Sequence, residues 1–136
     1  MSLSASLVQT SPVRRSRTGL IALWVLQIAL AGMFLLAGTP KLMGDPAMVG
    51  LFDAIGIGQW FRYVTGLIEV GAALTLLVPS VAVFGALALV ATMVGAIAVH
   101  LFIVGGSPTL PAILLLGSAG VVWARRHQLG APSTVR

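Results

Sequence analysis

The stretch FRYVTGLIEVGAALTLLVP, Phe61–Pro79, decides the fold of this chain. It is close to the length of about 20 mostly apolar residues that a membrane-spanning helix needs, yet it carries Arg62 at its start and Glu69 about two turns inside. A carboxylate near the middle of a spanning helix costs roughly 2.5–3.5 kcal/mol on insertion scales. Because the sequence has only three acidic residues, one kept at this depth indicates a functional site centred on Glu69. The alternative is a structural ion pair that fixes helix packing.

Charged residues are few, and they are segregated along the chain. They make up 8% of the sequence, whereas 58% is hydrophobic; soluble domains carry about 25% charged residues. No Asp, Glu, Lys or Arg occurs between Arg17 and Lys41, or between Glu69 and Arg125. The second interval is long enough for two spans and a turn. Composition therefore predicts an integral membrane protein with one domain.

The net charge is +5, and six of the eight Lys and Arg residues lie at the two ends of the sequence: Arg14, Arg15 and Arg17, then Arg125, Arg126 and Arg136. Such clusters flanking apolar runs predict that both termini are cytoplasmic. No basic stripe interleaved with aromatic residues is present, so nucleic acid is not an expected partner. The absence of Cys excludes disulfides, thiol redox chemistry and Cys-ligated metals in this chain. Any electron carrier must then come from elsewhere.

The apolar runs and turn signals predict an all-α membrane protein, a four-transmembrane-helix bundle. We expect its spans at Gly19–Gly38, Phe61–Pro79, Ser80–Val104 and Thr109–Trp123. The first run exceeds the 7–15 apolar residues of a signal peptide, which favours an uncleaved helix. Residues 1–18 are predicted to be a disordered cytoplasmic tail, 19–127 the membrane domain, and 128–136 a cytoplasmic C-terminal tail.

The first loop, Thr39–Trp60, is predicted to contain one short interfacial helix. Asp45 and Pro46 form a typical helix start, and Gly56 is a suitable stop. Apolar residues fall on one face between them: Met48, Phe52 and Ile55. We expect this helix to cover one end of the bundle, and a lid over a pocket is the alternative.

Four ionisable residues fall at similar depth when each span rises 1.5 Å per residue. Glu69 lies about 10–12 Å, and His100 roughly 6 Å, from the outer ends of their spans. Lys41 follows the first span on that side, and Arg62 shares a helix face with Glu69. One site in the outer half of the bundle is therefore predicted. A structural network, Lys41 or Arg62 with Glu69 and a packing His100, remains the alternative.

Two further polar residues lie inside the spans. Gln27 in the first span is most simply an interhelical hydrogen-bonding group, with a ligand contact as the lesser alternative. Thr92 shares a helix face with His100 in the third span and is a candidate ligand-binding residue. One intramembrane carboxylate and one His are too few for an all-protein metal site, so no metal is expected.

Three motifs give the chain a resemblance to a known family: GTPKL at 38–42, RYVTGLIEVGA at 62–72, and AVHL at 98–101. In order and spacing they resemble the DoxX-like branch of the DoxX/DoxD-like family, small four-helix membrane proteins of bacteria. The resemblance runs from about Leu20 to His127. It places Lys41, Arg62, Glu69 and His100 at the family's motif positions.

The resemblance implies a bacterial inner-membrane protein linked to quinone chemistry, including thiosulfate–quinone oxidoreduction, and to redox partner proteins. Related proteins that handle disulfides use cysteine pairs, which this chain lacks. The first hypothesis is therefore a redox-associated or ligand-binding component with no intrinsic cofactor, whose ligand is a quinone or another lipophilic small molecule. Lys41 or His100 would donate to a carbonyl while Glu69 manages a proton.

Two other functions stay open. In an enzyme acting on an apolar substrate, Glu69 and His100 would be the catalytic base and acid. In a proton-linked transporter they would form a proton path, although four spans without an inverted repeat are few for alternating access. The many Gly and Ala residues also make a homo-oligomer plausible, because small residues let spanning helices approach closely.

Overall fold

The computed structural model describes residues 15–130, and this part of the chain is entirely helical. Its five α-helices are α1 (Arg17–Met43), α2 (Pro46–Ile55), α3 (Gln59–Leu76), α4 (Ala82–Val99) and α5 (Thr109–Arg125). A π-helical turn, His100–Val104, continues α4, and a 3-10 turn, Arg126–Gln128, continues α5. The predicted tails lie largely outside the described residues.

The four long helices run up and down in sequence order. The helix α1 packs along α3, α3 also packs against α4, and α4 packs along α5. We call the end that holds Arg17, Leu76, Ala82 and Arg125 the terminal end. The opposite end, where α2 joins α1 to α3 and the π-turn leads into α5, is the α2 end.

Two of these helices are long and apolar enough to cross a membrane, namely Arg17–Met43 and Ala82–Val104 with the π-turn included. Of the other two long helices, α3 carries Arg62 and Glu69, and α5 has 17 residues. The helical fold class is confirmed for the described residues. That α3 and α5 also span the bilayer stays a prediction.

The predicted boundary at Gly38 is wrong, because α1 continues through Pro40 to Met43. A proline removes one backbone hydrogen bond, which a membrane helix tolerates where local groups compensate. The helix ends one turn later at Gly44, whose φ of 75° suits glycine. The first part of the predicted loop is thus helical, and Lys41 lies on α1.

The remaining boundaries differ by a few residues. Ser16 caps α1 by accepting from the Gly19 N–H at 3.1 Å, so this helix begins two residues before the predicted Gly19. The helix α3 is shifted toward the N-terminus and ends at Leu76, because Leu77 and Val78 already form a turn. The short helix α2 is confirmed, with Asp45 accepting from the Ala47 N–H at 2.9 Å.

Glycines permit a close approach between α1 and α3. A Cβ added at Gly38 would lie 3.1 Å from the Gly66 carbonyl oxygen and 2.9 Å from Val70 Cγ2. A Cβ added at Gly66 would likewise lie 3.1 Å from the Gly38 carbonyl oxygen. The two backbones therefore touch, and this crossing brings Lys41 and Glu69, each three residues beyond its glycine, within reach of one another.

The α1–α3 pair meets the α4–α5 pair in the half of the bundle nearer the terminal end. A Cβ at Gly85 of α4 would lie 2.7 Å from the Ala72 carbonyl oxygen of α3, and Gly117 of α5 lies against Leu30 of α1. The fully buried core side chains lie here and toward mid-bundle, among them Phe34, Leu76, Leu89 and Val121. This half of the bundle is tightly packed.

Candidate functional site

A cavity of about 790 Å³ lies between the two helix pairs near the α2 end. Small-molecule sites in proteins are typically clefts of about 300–1,000 Å³ with mostly apolar walls and a few polar groups. All five α-helices contribute to its wall, which is mostly aliphatic and aromatic. The polar residues in the wall are Lys41, Thr65, Glu69, Thr92, His100 and Ser107. Its size and lining fit a lipophilic small molecule.

Lys41 and Glu69 form an ion pair in the wall of this cavity. Lys41 Nζ donates to Glu69 Oε2 at 2.8 Å and to the Ala37 carbonyl oxygen at 2.9 Å. The two side chains are 12% and 3% exposed. Lys41 reaches Glu69 because a long helical side chain points back toward the N-terminus of its helix. Of the two cations considered from the sequence, Lys41 is the partner of Glu69.

This ion pair keeps hydrogen-bonding capacity for a further molecule. An ammonium group has three donors, and two of those of Lys41 are occupied. Glu69 Oε2 accepts from Lys41, whereas Glu69 Oε1 has no hydrogen-bond partner among residues 15–130. In that range the one side-chain N or O that is both without a partner and fully buried is Ser118 Oγ. Glu69 Oε1 is therefore not fully buried. One donor and one acceptor are therefore available side by side.

His100 occupies the start of the π-turn and also lines the cavity. Its Nδ1 lies 3.2 Å from the Gly105 carbonyl oxygen. A carbonyl oxygen only accepts, so Nδ1 carries the proton and Nε2 is the acceptor of the neutral ring. Gly105 and Gly106 have φ of 71° and 86°, which lets the chain turn back toward the ring. Turns of this π type are frequent at functional sites.

Thr92 lines the cavity about two turns before His100 on the same helix face, as its position in α4 predicts. Its hydroxyl donates to the Ala88 carbonyl oxygen at 2.8 Å. Thr65 of α3 is arranged in the same way and donates to the Phe61 carbonyl oxygen at 2.8 Å. Since both hydrogens are used within their helices, these hydroxyls can serve a ligand as acceptors.

Arg62 is buried but lies outside the cavity wall. Its Nη1 donates to the Lys41 carbonyl oxygen at the end of α1, and its Nε donates to Gln59 Oε1 at 2.6 Å. Its guanidinium also stacks on Tyr63, 4.3 Å from the ring centroid. Arg62 thus caps the end of α1 and lies two turns before Glu69 on α3, outside the cavity wall; the ligand contact predicted for it stays a prediction.

Gln27 lies near the terminal end, away from the cavity, and is fully buried. Its Nε2 donates to the Leu76 carbonyl oxygen at 2.6 Å, and its Oε1 accepts from Arg125 Nε and Nη2 at 3.1 and 2.9 Å. The interhelical hydrogen bond predicted for Gln27 is present. The ligand contact is not supported, because the amide has its partners within the protein.

The sequence reasoning missed the burial of Arg125. In the sequence it resembles the basic residues that follow a membrane span at the interface. In the structure the residue is 8% exposed, and its Cζ lies 5.9 Å from the Trp24 ring centroid. A lone Gln in an apolar helix does signal that a polar partner exists, but several polar residues lie at that depth. The identity of the partner depends on how α1 and α5 are rotated.

The predicted site is thus assembled in part. Lys41, Glu69, Thr92 and His100 line one cavity, whereas Arg62 and Gln27 do not. Within the described range, no three His, Asp or Glu side chains are grouped as they would be around a metal ion.

Comparison with known proteins gives one match. Residues 25–127 match the profile of the DoxX-like family. Neither curated proteins nor solved structures gave a significant match. The match covers more than half of the chain, and it includes the whole cavity wall. The chain therefore belongs to the DoxX-like family.

Proposed function

We propose that this protein is a membrane component that binds a neutral lipophilic molecule, foremost a quinone, in the cavity at the α2 end. The observation that carries the proposal is the Lys41–Glu69 pair, 12% and 3% exposed, in the wall of an otherwise apolar cavity of about 790 Å³. Buried charges are costly unless paired, and a purely structural pair needs no such space beside it.

The free donor and acceptor of this pair suit a quinone in both of its redox forms. The oxidised form only accepts hydrogen bonds, and the remaining Lys41 N–H would donate to its carbonyl. The reduced form carries hydroxyl groups, one of which would donate to Glu69 Oε1. His100 also lines the cavity, and its Nε2 would offer the ligand a second polar contact. Electrons would come from a redox partner protein, because no cofactor intrinsic to this chain is proposed.

The membrane arrangement is part of the proposal. Apolar side chains are exposed on the outer faces of α3 and α5 as well as on the two clear candidate spans, for example Leu67 and Leu116 at 62% and 73%. The described basic residues of the terminal end are Arg15, Arg17, Arg125, Arg126 and His127, and no acidic residue of the sequence lies near them. We therefore propose four spans in a bacterial inner membrane with the terminal end cytoplasmic.

Copurification tests the binding proposal. The protein would be extracted in a mild detergent, and retained small molecules would be identified by mass spectrometry for wild type, Glu69→Gln and Asp53→Asn. Asp53 is a matched control because its carboxylate is exposed and bonds Gln59. We expect a quinone or similar lipophile in wild type and Asp53→Asn, and a loss of at least about tenfold in Glu69→Gln. Only bulk phospholipid in all three preparations would contradict the proposal.

An intramembrane acid–base enzyme is the second candidate, because Glu69 and His100 line the same cavity. It predicts turnover of the retained molecule, which Glu69→Gln and His100→Gln would each abolish while leaving the protein folded. A proton-linked transporter is less favoured. The side chains of Phe34, Leu89 and Met93, at most 4% exposed, fill the bundle between the cavity and the terminal end.

A further inference from the structure

The cavity has a thin wall along the seam between α3 and α4. Val64 and Ile68 of α3 line it, although 40% and 41% of their surface is exposed. Ala91 and Gly95 of α4 line it from the other side of the seam and are also exposed. A Cβ added at Gly95 would meet nothing within 4 Å. At this point only a thin layer of side chains separates the cavity from the outer surface, and the α4 side of the seam carries no bulky side chain.

A second, open depression of about 290 Å³ continues along the same seam toward the terminal end. We call it the seam groove; its lining is Leu67, Ile68, Gly71, Ala72, Thr75, Phe84, Gly85 and Ala88. Ile68 belongs to both linings, so the groove begins where the cavity wall is thin. Between Ile68 and Thr75 the groove follows α3 for about 10 Å, at 1.5 Å per residue.

The helix α2 lies over part of the cavity at the α2 end. Met48, Phe52 and Ile55 of α2 line the cavity, and Phe52 is 4% exposed. The seam between α1 and α5 is lined at the same level by the exposed Leu36 and Leu110, beside the smaller Ala37 and Pro111. Of these two seams, the α3–α4 seam is the one that the seam groove continues.

We infer that the ligand is an amphiphile whose polar head sits at Lys41 and Glu69 and whose hydrocarbon tail leaves through the α3–α4 seam and lies in the seam groove. This inference rests on the proposed function and narrows it. The ligand class is a lipid with an uncharged carbonyl- or hydroxyl-bearing head and a single long tail, taken up sideways from the bilayer. A tail-less aromatic molecule entering from water does not meet this description.

Photolabelling tests the position of the tail. The probe is a benzoquinone with a decyl tail that carries a diazirine near its end, and the competitor is the same decyl benzoquinone without the diazirine. After irradiation in liposomes, labelled peptides are mapped by mass spectrometry. We expect label within 67–88, reduced at least about fivefold by the competitor and by Glu69→Gln.

Two glycine variants provide the matched control. At both Gly71 and Gly32 an added Cβ meets nothing within 4 Å, but only Gly71 lines the groove. Gly71→Leu should reduce the competed label about as much as the competitor does, and Gly32→Leu on α1 should leave it unchanged. Competed label at Leu36 or Leu110 would overturn the tail position while keeping the binding site. Label that neither competitor nor Glu69→Gln reduces would overturn the binding proposal and this inference with it.

Discussion

The Lys41→Met variant should have a much lower free energy of unfolding than the variant in which both members of the ion pair are replaced. In Lys41→Met, Glu69 keeps a side chain that is 3% exposed and loses its partner at 2.8 Å. Removing one member of a buried pair typically costs about 3–5 kcal/mol, because the other is left uncompensated. Glu69→Met should cost less, about 1–3 kcal/mol, since Lys41 still bonds the Ala37 carbonyl and can extend toward water.

The double variant, Lys41→Met with Glu69→Met, removes both charges and leaves apolar side chains of similar length in an apolar wall. Replacing a buried pair with packed apolar residues is often neutral or stabilising, so we expect a free energy of unfolding within about 1 kcal/mol of wild type. The pair would then be coupled by at least about 3 kcal/mol.

Reversible unfolding in mixed SDS and mild-detergent micelles, followed by circular dichroism, measures all three variants. Asp53→Asn, which changes an exposed carboxylate, is the control and should shift stability by no more than about 0.5 kcal/mol. If the losses of stability in the two single variants add up to that of the double variant within about 0.5 kcal/mol, as they do for independent sites, then Lys41 and Glu69 do not form a coupled buried pair. That result would contradict the proposed site. A stable double variant that has lost its ligand would show that the charges serve binding rather than folding.

Three further predictions concern packing, the opposite end of the bundle and orientation. Gly38→Ala should lower the free energy of unfolding by about 1–3 kcal/mol through overpacking, since its Cβ would meet Val70 and a backbone carbonyl within 3.1 Å. Gly32→Ala, whose Cβ would meet nothing within 4 Å, should be neutral in the same unfolding assay. Gln27→Leu should cost about 2–4 kcal/mol by stranding a buried carbonyl and guanidinium, yet leave the copurified molecule in place; its loss would mean that the two ends are coupled. Because the sequence has no Cys, Asp53→Cys and Arg126→Cys each introduce one thiol. A membrane-impermeant maleimide added to intact cells should label only the first, and the reverse result would invert the proposed orientation.

The sequence predicts those parts of the fold that depend on local chemistry. The start of α2 at Asp45–Pro46 and its end at Gly56 follow from capping preferences, and both are present. The common depth of Lys41, Glu69 and His100 follows from the constant rise of a helix, and all three line the cavity.

Sequence reasoning could not choose between two cations of similar depth. Lys41 and Arg62 both lie within reach of Glu69 along the helix axis, but side-chain direction decides the pairing. Lys41 folds back along α1 to Glu69, while Arg62 turns to the end of α1. The continuation of α1 through Pro40 likewise depends on contacts with α3, which are tertiary. Rotation of each helix about its own axis is the information that a single sequence lacks.

The contact between Gly38 and Gly66 also has a mechanical consequence. The helices α1 and α3 touch through their backbones and share the most extensive contact of any helix pair described, so they should move as one rigid arm. The α4–α5 arm touches it near Gly85 and Gly117, and these contacts would be the pivot of any rotation between the two arms. A rotation of about 5° there would displace a wall about 16 Å away, some eleven residues along α4, by roughly 1.4 Å. A rotation of this kind would widen the cavity for a bulkier ligand, and the contacts that it would loosen are those between α2 and the π-turn.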